Sequence, residues 1–133
     1  LVTIFFINAV LCTVLKILFS RARPSEWFSH HAYGFHLAQL KAAYWSFPSG
    51  HAFVASTFFS FIALSKPRYR WWCLLGVLLM CVSRMIVAAH YLGDVMVGSF
   101  LGYWTCRVLM TRYAEVLPFN LDLKLQQLRS DRA

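Results

Sequence analysis

The chain has 133 residues, enough for one domain, and is 59% hydrophobic and 17% aromatic with only 14% charged residues, too apolar a balance for an ordinary soluble domain. Its formal net charge of +8 would in a soluble protein point to nucleic acid, but the cations lie between and beyond apolar runs instead of along a polar face. A nucleic-acid partner is therefore set aside in favour of a lipid bilayer.

The first apolar run, Leu1 to Phe19, is long enough to span a bilayer and carries Lys16 near its end. It opens without an initiator methionine or a charged leader, so it reads as part of a longer protein and not as a signal peptide. Arg21, Arg23 and Pro24 close it. Lys16 and Arg23 are seven residues apart, two helical turns and hence one face, while Pro24 disfavours helical geometry at Arg23. Two cations then point from one helix end toward one place, unless both merely snorkel to headgroups. The stretch from Pro24 to Phe47 reads as an interfacial loop with some helix. Its His30, His31 and His36 are expected to face solvent or headgroups, since no cysteine and only Glu26 stands near them.

Pro48-Ser49-Gly50-His51 precedes the apolar run Ala52 to Ser65. A turn opening a helix presents unpaired N–H groups at the positive end of the helix dipole, a seat for an anion. Ser49 can add a hydroxyl, Gly50 allows close approach and His51 can add a proton; a capped helix start with an interfacial histidine would also explain the tetrapeptide. A basic hinge, Lys66 to Arg70, leads into the third run, Trp71 to Ala89, and the fourth follows from Tyr91 to Met110. Leu121, Leu125 and Leu128 share helical spacing in the polar tail, as in a surface-lying helix. Cys12, Cys73, Cys81 and Cys106 read as buried thiols.

Between the last two runs lie Arg84, His90 and Asp94. If the helix has restarted by His90, its ring and the Asp94 carboxylate share a face at a spacing of four. On an unbroken helix Arg84 would be about 9 Å from His90 and on another face. A turn near Ala88 and Ala89 would let the three converge.

These runs predict an all-α integral-membrane bundle, with a four-span domain over residues 1–112 and a cytoplasmic tail over 113–133. Four successive spans bring the Lys16–Arg23 end, the Ser49–His51 start and the Arg84-to-Asp94 turn to one membrane face. Lys66, Arg68, Arg70, Arg107 and Arg112 mark the other face as cytoplasmic, so the site would open to the periplasm or another extracytoplasmic side. Three cations, a helix N-terminus, two histidines and one carboxylate at such a boundary suit a phosphoryl group. One histidine can attack in line and the other can protonate the leaving oxygen. Asp94 is expected to accept from the far ring nitrogen of His90 and fix its tautomer. No metal or other cofactor is expected, because Asp94 is the only carboxylate at hand and the cations take a metal's place.

Lys16 with Arg23-Pro24, then Pro48-Ser49-Gly50-His51, then Ser83-Arg84, His90 and Asp94 resemble the three-part signature of the type 2 phosphatidic acid phosphatase superfamily, with every specified position filled. The resemblance implies His90 as nucleophile forming a phosphohistidine, Asp94 as its partner and His51 as general acid. Lys16, Arg23, Ser49, Gly50 and Arg84 would cradle the phosphoryl oxygens. It also implies a six-helix bundle of which this chain supplies the last four helices, while the apolar composition favours hydrolysis of a lipid phosphomonoester or pyrophosphate, of the phosphatidic acid, phosphatidylglycerol phosphate, undecaprenyl pyrophosphate or lipid A type, and the short loops suit a bacterial inner membrane. A lipid phosphotransferase and a non-catalytic phospholipid-binding protein are the alternatives.

Overall fold

A computed structural model describes residues 2–116, and these form five α-helices with no strand among them: α1 (Val2–Phe19), α2 (Pro24–His30), α3 (Gly50–Ser65), α4 (Arg70–Ile86) and α5 (Leu92–Val116). The all-α expectation holds, and α5 runs on past the boundary expected at residue 112. The leucine-spaced tail segment lies outside the described residues.

Of the four expected spans, one stretch, Pro67–Ile86, is by itself long and apolar enough to cross a membrane, while Thr3–Phe19 and Gly50–Ser65 are shorter apolar helices. The fourth, α5, has 25 residues but includes Asp94 and Arg107.

Helix α3 is central and packs against α1, α4 and α5. Its crossing with α5 is close because Gly98 and Gly102 face it across one helical turn. A Cβ on Gly98 would stand 2.6 Å from the Ser49 carbonyl oxygen, and one on Gly102 2.3 Å from that of Phe53. Small residues at this spacing let two backbones meet. Polar pairs fix the register: Asn8 donates to Thr57 Oγ1 at 2.7 Å between α1 and α3, and Ser56 donates to the Ser99 carbonyl at 2.6 Å between α3 and α5. The outward surface is strongly apolar, with Trp71, Trp72, Leu78, Leu79 and Ile86 of α4 all exposed.

The loop from His31 to Phe47 folds back on the end of α1. Ala22 N–H donates to Gly34, His36 N–H to Ser20, Arg23 N–H to Ala43 and Ser46 N–H to Arg21, each at 3.0 Å and each to a carbonyl. Arg21 also pairs with Phe35 in an isolated antiparallel bridge. This lacing brings the Trp45 and Ser46 carbonyls to the helix ends where the candidate residues gather.

Candidate active site

The C-terminal ends of α1 and α4 and the N-terminal end of α3 open onto a cavity of about 710 Å³. Lys16, Arg23, Gly50, His51, Arg84 and His90 line one part of it, and Phe5, Ala9, Val54, Phe58, Phe59 and Met80 line the remainder. Six of the eight residues singled out from the sequence therefore share one cavity. Ser49 and Asp94 do not line it. A smaller hollow of about 340 Å³, walled by Pro24, Trp27, Phe28, Tyr33 and Tyr91, has no charged lining.

Local structure explains these placements. α1 ends at Phe19, where Ser20 takes a left-handed φ of 35°, and Arg23, before Pro24, takes the extended conformation (φ −71°, ψ 154°) that a following proline favours at the start of α2. Ser49 caps α3, its hydroxyl accepting from the Ala52 N–H at 3.5 Å, so it is fully buried behind the cavity wall. The Lys16 side chain lies along Gly50, close enough that a Cβ there would be 3.5 Å from its Cε, and Lys16 Nζ donates to the Trp45 carbonyl at 2.7 Å. Helix α4 stops at Ile86, and Ala88 adopts a left-handed φ of 50°. That turn frees Arg84 and His90 from the separation an unbroken helix would impose.

The same turn overturns one expectation. His90 lies before α5 begins at Leu92, so the spacing of four does not put it on a helix face with Asp94. Asp94 is instead tied into the start of α5 and the loop. Its Oδ2 accepts from the Tyr91 N–H at 2.9 Å and from the Ser46 hydroxyl, and its Oδ1 pairs with Arg21 Nη1 at 2.7 Å. The partner of His90 is the Ser46 backbone carbonyl, 2.7 Å from Nδ1. A carbonyl can only accept, so Nδ1 carries the proton and Nε2 keeps its lone pair.

Burial is the main force holding the His90 imidazole neutral, lowering its pKa from 6.5 to about 4. Lys16 and Arg23 push the same way, against the Ser46 carbonyl and Asp94. His51 is exposed at the cavity.

The cavity cations are unusual in lacking counter-ions. The ion pairs among the described residues are Arg21–Asp94 and His30–Glu26, and neither involves Lys16, Arg23 or Arg84. Arg23 Nε is buried with no hydrogen-bond partner. Arg84 Nε reaches only the Ser83 hydroxyl, at 3.4 Å. Converging cations without a carboxylate repel one another and are stabilised by a bound anion. No group of three or more His, Cys, Asp or Glu side chains able to hold a metal ion occurs among the described residues.

The sequence reading missed Arg21, Ser46 and the Trp45 carbonyl. Backbone carbonyls leave no signal in side-chain spacing, but Arg21 had one: a cation at an apolar boundary in a chain with only five acidic residues.

The PAP2 superfamily model matches residues 1–117. The chain belongs to the PAP2 superfamily. It is 34% identical over 107 residues to a lipid A 1-phosphatase of Rhizobium etli, a match covering 80% of this chain and 46% of that protein. It is 36% identical over 107 residues to an undecaprenyl-diphosphatase of Sulfolobus acidocaldarius, covering 78% of this chain and 49% of that protein. The chain thus spans about half the length of the relatives it matches. No solved structure matches it significantly.

Proposed function

We propose that this chain carries the phosphoryl-transfer centre of a membrane phosphatase that hydrolyses a lipid-borne phosphomonoester or pyrophosphate through a phosphohistidine, without a divalent metal. The observation that carries the reading is the set of three cations, Lys16, Arg23 and Arg84, free of any carboxylate and sharing a cavity with a neutral imidazole whose Nε2 lone pair is available. Such cations and the N–H groups at the start of α3 suit the equatorial oxygens of a phosphoryl group, where charge gathers during transfer.

In the first step Nε2 of His90 bonds to phosphorus as the bond to the leaving oxygen breaks, and protonated His51 gives that oxygen its proton. In the second, His51 takes a proton from water, the water oxygen bonds to phosphorus, and the P–N bond breaks to release phosphate and neutral His90. The Ser46 carbonyl holds the Nδ1 proton throughout and stabilises the positive ring of the intermediate, the part a carboxylate plays in a triad. Lys16, Arg23 and Arg84 supply the positive charge for which other phosphoryl-transfer enzymes use metal ions.

A lipid substrate is supported by the apolar continuation of the cavity past Val54, Phe58 and Met80, and by relatives named for lipid A and undecaprenyl diphosphate. The exposed apolar faces of the helices suit a bilayer better than water, with α1, α3, α4 and α5 each crossing it. With Lys66, Arg68, Arg70, Arg107 and Arg112 cytoplasmic, the cavity opens to the periplasmic side of a bacterial inner membrane.

The test is phosphate release by the full-length protein in detergent, from undecaprenyl diphosphate, lipid A, phosphatidic acid and phosphatidylglycerol phosphate, in excess chelator. Release from at least one is expected. Release from none, or only on adding magnesium, contradicts the reading. Transfer to an added alcohol in place of water would recast the enzyme as a phosphotransferase.

A further inference from the structure

Arg21 stands two residues before Arg23 yet points into a different set of contacts. Its Nη1 meets Asp94 Oδ1 at 2.7 Å, in a pair whose side chains are 16% and 0% exposed. The Tyr91 and Phe35 rings cover its guanidinium carbon, at 4.1 and 5.3 Å from their centroids. Its carbonyl accepts the Ser46 N–H at 3.0 Å. The Ser46 hydroxyl in turn donates to Asp94, and the Ser46 carbonyl receives the His90 Nδ1 proton. Arg21 therefore holds Ser46 from two sides, by its backbone directly and by its side chain through Asp94.

We propose that Arg21 is a positioning residue for phosphoryl transfer, fixing Asp94 and Ser46 so that the Ser46 carbonyl aims the His90 ring and holds it in the tautomer with a free Nε2. The inference rests on the phosphatase reading. Two physical consequences follow from the contacts. The Ser46 carbonyl can orient an imidazole only if its own peptide is held, and the bonds from Ser46 N–H and Oγ do that. Asp94 is also fully buried. Without Arg21 it is a buried anion with only neutral donors, and its hold on the Ser46 hydroxyl loosens.

The experiment compares wild type, Arg21→Gln, Arg21→Lys and Ser46→Ala in the full-length detergent-solubilised protein, with a lipid phosphate that wild type hydrolyses. Arg21→Gln should lower kcat per titrated active site about 10²-fold, the scale of an ångström-sized misplacement, with KM and inhibition by vanadate near wild type. Arg21→Lys keeps the charge but not the planar fork, and should recover part of the loss. Ser46→Ala should lower kcat by a smaller factor. Ring ¹⁵N signals of His90 should report Nδ1–H in wild type and a tautomer mixture in Arg21→Gln.

A purely structural role would reduce the yield of active sites and the thermal midpoint while leaving kcat per site and the tautomer unchanged, and that result overturns the proposal. So does an equal loss of vanadate affinity, which would make Arg21 a phosphate ligand. If Arg21→Gln does not fold, unchanged kcat and tautomer in both other variants overturn it. Absence of any phosphate release by wild type counts against the phosphatase reading instead, and the His90 tautomer in the variants still decides the role of Arg21.

Discussion

Arg21 and Arg23 have the same side chain, lie two residues apart, and occupy opposite electrostatic settings. Arg21 is neutralised by Asp94 and covered by aromatic rings, whereas Arg23 lines the cavity and makes no ion pair among the described residues. The difference lies in where the chain's few carboxylates go. Among the described residues Asp94 pairs with Arg21 and no carboxylate pairs with Lys16, Arg23 or Arg84, so their positive charge stays available to a ligand. A cation that holds the scaffold and a cation that waits for an anion are thus told apart by their partners and not by their type.

That contrast can be broken most forcefully at the nucleophile. His90→Ala should reduce turnover by about 10⁴-fold or more while vanadate still binds, because the cations remain; hydrolysis that persists would remove His90 from the chemistry. Next in size, Arg23→Gln should cost about 10²- to 10³-fold in kcat/KM and weaken vanadate binding together with it. Arg21→Gln should leave vanadate binding intact, and the two variants behaving alike would erase the distinction. His51→Ala should cost about 10²-fold on an alkyl or prenyl leaving group and much less on an activated aryl phosphate, read from paired rate measurements.

The pH profile sharpens the contrast further. A lowered His90 pKa means the neutral, attacking form is present above about pH 4 and is lost as the pH falls through that value. The limb of kcat/KM that belongs to His90 should therefore lie near 4, and a limb near 6.5 that shifts in His90 variants would contradict the burial argument. The smallest effect concerns the scaffold: Gly98→Ala pushes a methyl against the Ser49 carbonyl and should destabilise the fold by about 1–3 kcal/mol, measured as a lower unfolding midpoint.

Much of this arrangement is legible in the residues. The apolar runs mark the starts of four of the helices to within a few positions; Lys16 and Arg23 do share a cavity wall, but α1 ends at Phe19, so the path of the loop and not a seven-residue helical spacing brings Arg23 there. The expected His90–Asp94 bond is not formed, because a spacing of four implies a shared face only inside a helix and the left-handed Ala88 turn keeps His90 outside one. Ser49 caps α3 with its hydroxyl as acceptor, the second of the two readings that the tetrapeptide allows, and the O–H stays free to donate. Arg21 and Asp94 are 73 residues apart, and no local periodicity reaches across that distance. The Ser46 carbonyl is main chain, so its role follows from the path of the loop alone.

The most direct test of an unpaired cationic cup feeding a neutral His90 is to trap the intermediate. Full-length protein in excess chelator is mixed with a ³²P-labelled lipid phosphate and quenched in alkali, which preserves phosphohistidine, and the labelled peptide is sequenced. Label on His90, lost in His90→Ala and in Arg23→Gln, is the predicted result. Label on another residue, or turnover with no labelled protein at any quench time, would contradict it.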